Sequence, residues 1–200
     1  MFKLTGVLTI SYFIFFGIAS ATEISLGEAK SNLCANCHGL DGNSVFPLNP
    51  NLAGQNAEYI VSQLKAFKSG RRKNSTMETI SASLSNDEMI ALATYYSTQA
   101  PNIIKGNPLL LEKGKDKYSL CWSCHGDKGE GPGSYPRLAG QHSQYTVLQL
   151  MNFKNNFRIN PVMNVIVAEL NNDDMEALGA YIATLNPQKG FINLGNNSAW

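Results

Sequence analysis

Laid over itself with an offset of 86 residues, the sequence repeats: N-L-A-G-Q-N-A-E-Y at 51–59 falls on R-L-A-G-Q-H-S-Q-Y at 137–145. The register holds through Gln63-Leu64 on Gln149-Leu150, Phe67-Lys68 on Phe153-Lys154, Met77 on Met163 and Asp87 on Asp173. Across 51–98 and its partner segment, 23 of 48 positions are identical, so the chain is expected to fold twice into one small domain. A domain of about 85 residues has a small core and ordinarily needs a staple: a disulfide, a metal or a bound cofactor. Each copy holds two cysteines, Cys34 with Cys37 and Cys121 with Cys124. A bridge between such close neighbours would shut almost no loop and add little, so something else should fill each core.

Both copies share one coarse pattern. A helix leads into the cysteine pair, a long Gly/Pro/Asn loop follows, and a second helix is predicted near 56–69 and 142–155. A polar loop then carries a methionine, and a third helix is predicted near 86–99 and 172–185. Tyr59, Leu64 and Phe67, then Met89, Leu92 and Tyr96, recur at near-helical spacing and mark buried faces. Ser85 with Glu88 spells a capping box for the third helix, and Gly70 closes the second. No alternating or β-branched run competes with these helices. The fold class is therefore all-α, with two tandem domains, 22–104 and 105–200, meeting at A-P-N-I-I-K-G-N-P, 100–108.

Residues 1–21 read as a signal peptide: Lys3, an apolar run from Leu4 to Ile18, and the small residues Ala19-Ser20-Ala21 at the cleavage point. The run falls short of the ~20 apolar residues that cross a bilayer. The mature chain is expected to begin at Thr22 and to reside in the bacterial periplasm. Removing Lys3 from 16 basic residues leaves 15 against 15 acidic, which gives no surplus for nucleic acid and at most a loose association with a membrane.

Each cysteine pair belongs to the same word, L-C-A-N-C-H-G at 33–39 and L-C-W-S-C-H-G at 120–126. A thioredoxin-like redox pair follows a strand in a βαβ unit, and no strand is predicted here. A structural zinc ion needs a second ligand pair close by, whereas the other cysteines are more than 80 residues away in the other copy. Covalent haem needs two thiols at this spacing for its vinyl groups and a histidine directly behind them for the iron; C-x-x-C-H supplies all three. Two haem c groups are expected, on Cys34 and Cys37 with His38, and on Cys121 and Cys124 with His125.

Two repeated methionine pairs compete for the far side of each iron. Met89 and Met175 lie on the apolar face of the third helix, where methionine commonly fills core. Met77 and Met163 lie in the polar stretches N-S-T-M and N-P-V-M, where a thioether has no packing role, and they are expected to be the iron ligands. The one remaining histidine, His142, pairs with Asn56 in the repeat and is expected at a helix N-terminus or in a loop. The stretch G-D-K-G-E-G-P-G, 126–133, follows a helix and lacks the G-K-[ST] ending of a phosphate loop; its glycines are expected to let backbone pass close to a haem edge.

C-x-x-C-H-G-x-x-G, P-x-L-A-G-Q, Y-x-x-x-Q-L-x-x-F-K, R-x-N-x-x-M and L-x-x-x-x-M-x-x-L-x-x-Y all occur twice between about 27 and 185. Together they resemble the dihaem cytochrome c4 family. The resemblance implies two class I cytochrome c domains related by a pseudo-twofold axis, with His38 and Met77, and His125 and Met163, as axial ligands. It implies an electron carrier and no enzyme, fed by a quinol-oxidising complex or another donor and discharging to a terminal oxidase. It also implies that the carbonyls of Pro50 and Pro136 accept from the ligating histidines, since a proline at about that distance does so in class I cytochromes c. Asn74 and Asn160, each three before its methionine, are candidates either to donate to the sulfur or to serve as surface turn residues, and the repeated Arg72 and Arg158 are candidates to meet haem propionates. A dihaem peroxidase would need one open iron face, against which the repeated methionine argues. The dihaem subunit of a flavocytochrome c sulfide dehydrogenase-like complex resembles the same pattern and stays open.

Overall fold

The computed structural model describes residues 16–187. The first fifteen residues of the expected signal peptide, and the tail from 188 onward, lie outside the described residues. Domain 1 is built from α1 (Phe16–His38), α2 (Ala57–Lys68), α3 (Ser75–Ala82) and α4 (Asn86–Thr98). Domain 2 repeats it with α5 (Leu111–Tyr118), α6 (Trp122–His125), α7 (Ser143–Lys154), α8 (Pro161–Ala168) and α9 (Asn172–Thr184). What is one helix in α1 breaks at residues 119–121 in the second copy, giving α5 and α6. The predicted second and third helices form within a residue or two of expectation, and Ser85 with Glu88 makes the capping box. After α2 the chain reverses at Gly70, whose φ of 72° suits a residue without Cβ. A fourth element was not predicted. The methionine stretches are short helices, α3 and α8, started by the side chains of Asn74 and Asn160, with Pro161 in the first turn of the second.

In each domain the first helix crosses the last, and a glycine sets how close they come. A Cβ added to Gly27 of α1 would lie 2.1 Å from the Ala91 carbonyl oxygen of α4, and one added to Gly114 of α5 would lie 2.1 Å from that of Ala177 in α9. The same helices are pinned by ion pairs, Lys30 to Glu88 at 2.5 Å, and Lys113 and Lys117 to Asp174 at 3.2 Å each. Beneath the crossing, Ile60, Leu64, Leu84, Met89, Leu92 and Tyr96 form the first core. Leu150, Phe153, Val167, Leu170, Met175, Leu178 and Ile182, with Tyr118, form the second.

One exchange distinguishes the two cores. Domain 1 has Ser31 on its first helix and Tyr96 on its last, whereas domain 2 has Tyr118 on the first and Ile182 on the last, at the matching positions. Both phenols reach the corresponding glycine turn, though their hydroxyls donate to different carbonyls, Ser31 for Tyr96 and Gly126 for Tyr118. Tyr96 approaches Gly42 and Tyr118 approaches Gly129, its counterpart, and each neighbours the first cysteine of its own motif.

The halves meet through reciprocal hydrogen bonds, the signature of a twofold relation. The Gln55 side chain accepts from Arg137 N at 2.8 Å and donates to Arg137 O at 2.9 Å; Gln141 accepts from Asn51 N at 2.8 Å and donates to Asn51 O at 3.1 Å. Each glutamine of the repeated L-A-G-Q word thus reads the backbone of the other copy. A second layer is a closed ring. The Gln63 oxygen accepts from both Arg72 and Arg158, at 2.9 and 2.8 Å, and the Gln149 oxygen accepts from both, at 2.8 and 2.9 Å. Arg72 also donates to Tyr145 at 2.9 Å and Arg158 to Tyr59 at 2.6 Å, while their backbones pair antiparallel. Arg72 and Arg158 therefore tie the domains together. His142 precedes α7, as expected, and its Nε2 lies 2.9 Å from the Ser44 carbonyl of the other domain.

Candidate functional site

The cysteine–histidine words are carried at the helix ends that the crossings hold in place. Cys34 and Cys37 stand three positions apart at the end of α1, neighbours on the helix surface with Cys34 half-buried and Cys37 exposed, and His38 follows. Cys121 precedes α6, and Cys124 and His125 lie within it. None of the four cysteines is in a disulfide, and Cys34 and Cys121 pack against their domain cores. Burial pushes the Cys34 thiol up and that of Cys121 to about 11. A redox-active pair needs the opposite, a depressed thiol.

Both histidines are 7% exposed. Nδ1 of His38 faces the Pro50 carbonyl at 2.9 Å, and Nδ1 of His125 faces that of Pro136 at 3.0 Å. A carbonyl only accepts, so Nδ1 carries the proton and Nε2 keeps a lone pair for a metal. Burial draws both imidazoles below their ordinary range, against the proline bond that raises them, and the neutral form is the one that coordinates. In each copy the residue after this proline, Asn51 or Arg137, is the one clasped by the other domain's glutamine.

Met77 and Met163 are half-buried in the first turn of α3 and α8, and they pack against the same cores as Cys34 and Cys121. They lie in helices and not in the loops expected for them. The Asn74 and Asn160 oxygens accept from the Met77 and Met163 amides at 2.9 and 3.0 Å, so these asparagines act as helix caps. Met89 and Met175 are fully buried filler, as expected, at 0% exposure. Gly131, in the glycine-rich stretch, makes room for its own chain: an added Cβ would lie 2.4 Å from Arg137 N. Among the described residues no cluster of three His, Cys, Asp or Glu is arranged to hold a metal ion, which leaves zinc without a site there. Cys34 with Met77, and Cys121 with Met163, each border one small core, next in sequence to a second cysteine and to a histidine whose Nε2 keeps a lone pair, and the arrangement occurs twice.

The family profile described as Cytochrome c matches this chain twice, over residues 27–99 and 111–186. Cytochrome c4 of Azotobacter vinelandii is 35% identical over 194 residues, covering 84% of this chain and 92% of that protein. The chain belongs to the cytochrome c4 family. A crystal structure of reduced recombinant cytochrome c4 from Pseudomonas stutzeri superposes with a TM-score of 0.79 at 33% identity, covering 82% of this chain and 98% of that one. A further relative, from Stutzerimonas stutzeri strain A1501, is 35% identical over 169 residues, 76% of this chain and 78% of that protein, and is named a thiosulfate dehydrogenase electron acceptor. Two cytochrome c units carry two covalently bound haem c groups with their irons, and the chain is a dihaem electron carrier of the cytochrome c4 kind. The glutamines of L-A-G-Q and the crossing glycines were not singled out in the sequence, although both repeat in register and that repetition was the available signal.

Proposed function

We propose that the chain is a periplasmic carrier in which Cys34 and Cys37 hold the first haem and Cys121 and Cys124 the second. His38 and Met77 take the two faces of the first iron, and His125 and Met163 those of the second. The observation that carries this reading is the pair of buried histidines whose Nδ1 is committed to a proline carbonyl in both copies. Bound haem supplies a one-electron iron couple. The protein's part is to orient the imidazole through Pro50 or Pro136 and to bring a thioether to the opposite side, which favours the reduced state. With a histidine and a methionine both holding each iron, no position would be left for peroxide or another small substrate, so the protein would pass electrons without making or breaking bonds. The signal peptide ends at Ala21, and the domains run over 22–104 and 105–200.

A quinol-oxidising complex as donor and a terminal oxidase as acceptor place the protein in a respiratory chain. A second reading, with a thiosulfate-oxidising dehydrogenase as donor, is favoured by the Stutzerimonas stutzeri relative's name. Mass spectrometry of the exported protein should show a start at Thr22 and two haem additions. Met77→Ala and Met163→Ala should each remove about half of the iron–sulfur charge-transfer absorbance, while Met89→Ala keeps it. One haem or none, or loss of the band on changing Met89 alone, would overturn the assignment.

A further inference from the structure

The duplication sorts the basic residues at the end of the second helix into two kinds. Domain 1 reads K-A-F-K-S-G-R-R-K over 65–73, and domain 2 reads M-N-F-K-N-N-F-R-I over 151–159. The two charges present in both copies have structural tasks. Lys68 and Lys154 donate to the Leu84 and Leu170 carbonyls at 2.5 Å each, and Arg72 and Arg158 close the ring between the domains. The three present only in domain 1, Lys65, Arg71 and Lys73, join no other element: Arg71 donates only to its exposed neighbour Ser69, at 3.2 Å. All three are exposed, and none is in an ion pair among the described residues. The nearby Glu78 carboxylate accepts from the Asn74 amide at 2.9 Å and so serves its own helix.

Their counterparts Met151, Phe157 and Ile159 are exposed too, Phe157 at 66% and Ile159 at 72%. The fold therefore accepts either set on this surface, and the choice of charge reflects what the surface meets. The segment runs directly into α3, which begins two residues after Lys73 and carries Met77. Charge placed there bears on a partner approaching the methionine side of the first haem.

We propose that Lys65, Arg71 and Lys73 form the docking face for an acidic redox protein, so that exchange with this partner passes through domain 1 and not domain 2. The proposal rests on the electron-carrier reading. Complementary charge raises encounter rates by about 10- to 1,000-fold and is screened beyond about 8–10 Å at ordinary ionic strength.

The test uses the haem-loaded protein on gold coated with a carboxylate-terminated alkanethiol layer, which presents the acidic surface. Adsorbed mass is read by quartz-crystal microbalance, and electron exchange by voltammetry on the same layer. The parent should bind at low salt and be released as salt rises. The variant Lys65→Gln, Arg71→Gln, Lys73→Gln should lose roughly tenfold or more in low-salt coverage. The reverse exchange, Met151→Lys, Phe157→Arg, Ile159→Lys, uses side chains the other copy already carries and should increase coverage. Equal coverage of parent and the Gln variant would overturn the proposal. So would self-association of the parent that the same three substitutions abolish, since the face would then belong to a second copy. A parent that coats the layer but gives no haem signal would support the charged face while refuting the carrier reading.

Discussion

Gly27→Ala should destabilise the protein even though it replaces a poor helix former by the best one. Propensity alone favours alanine by about 1 kcal/mol. The added Cβ would lie 2.1 Å from the Ala91 carbonyl oxygen and 2.7 Å from the Tyr95 Cβ, both on α4. Carbon and oxygen ordinarily approach no closer than about 3.3 Å, so α1 and α4 must part by roughly 1 Å. Overpacking typically costs about 1–3 kcal/mol. The obstacle is backbone that cannot rotate aside, which puts this case near the upper end. Subtracting the propensity gain leaves a net loss of about 2 kcal/mol, or roughly 8–16 °C in Tm for a domain of this size. Circular dichroism melts of the haem-loaded protein measure it. Gly114→Ala should do the same in domain 2, where the Ala177 oxygen is 2.1 Å and the Tyr181 Cβ 2.6 Å from the new carbon. A Tm unchanged or raised in both variants would refute the close-crossing argument.

Met175→Ala should cost about 2–5 kcal/mol by opening a cavity in a fully buried site while keeping the iron–sulfur band, read by denaturant titration and near-infrared absorbance. Arg158→Leu removes the donor to the Tyr59 hydroxyl, at about 1–3 kcal/mol for a group left buried, while the Gln63 and Gln149 oxygens keep Arg72; faster amide exchange in 57–63 and 143–149 checks it. The acid limb of stability should depend on two matched carboxylates. The Lys30 hydrogen bond and the Ser85 amide hold Glu88 at about 2. Burial would raise Asp174, but the Asn171 amide and the Lys113 and Lys117 ammonium groups outweigh it and hold the carboxyl low. A proton binds such groups more readily in the unfolded chain, so their contribution is full above about pH 4.3 and is lost as pH falls through the folded values. Glu88→Gln with Asp174→Asn should flatten the dependence of Tm on pH in that window, and an unchanged slope would contradict it.

The second and third helices were readable because each is long enough to show its period and ends in recognisable chemistry, as at Ser85 and Gly70. The short helices α3 and α8 were not, since eight residues make barely two turns and N-S-T-M and N-P-V-M look like loops. Asn74, Asn160 and Pro161 were nonetheless start signals. The histidine–proline bonds were anticipated from the family resemblance, and the geometry agrees. What the sequence could not reveal was who meets whom across the two copies. Repetition marked Arg72 and Arg158 as important but did not say that their partners were each other's glutamines and tyrosines. Gln55 and Gln141 bind main chain, which leaves no complementary side chain to find. The pairing of Ser31 with Tyr96, against Tyr118 with Ile182, becomes visible only once the two cores are superposed.

A domain assembled from parts of both copies would carry that exchange of tyrosines within one core. Joining the first helix of copy 1 to the last helix of copy 2 brings Ser31 together with Ile182 and leaves the space beside the glycine turn without a phenol. The reciprocal product sets Tyr118 against Tyr96 and puts two rings where there is room for one. Both hybrids have a defective core, one by a void and the other by excess volume. By moving one aromatic ring from one helix to another, the two halves have become non-interchangeable while keeping the same fold.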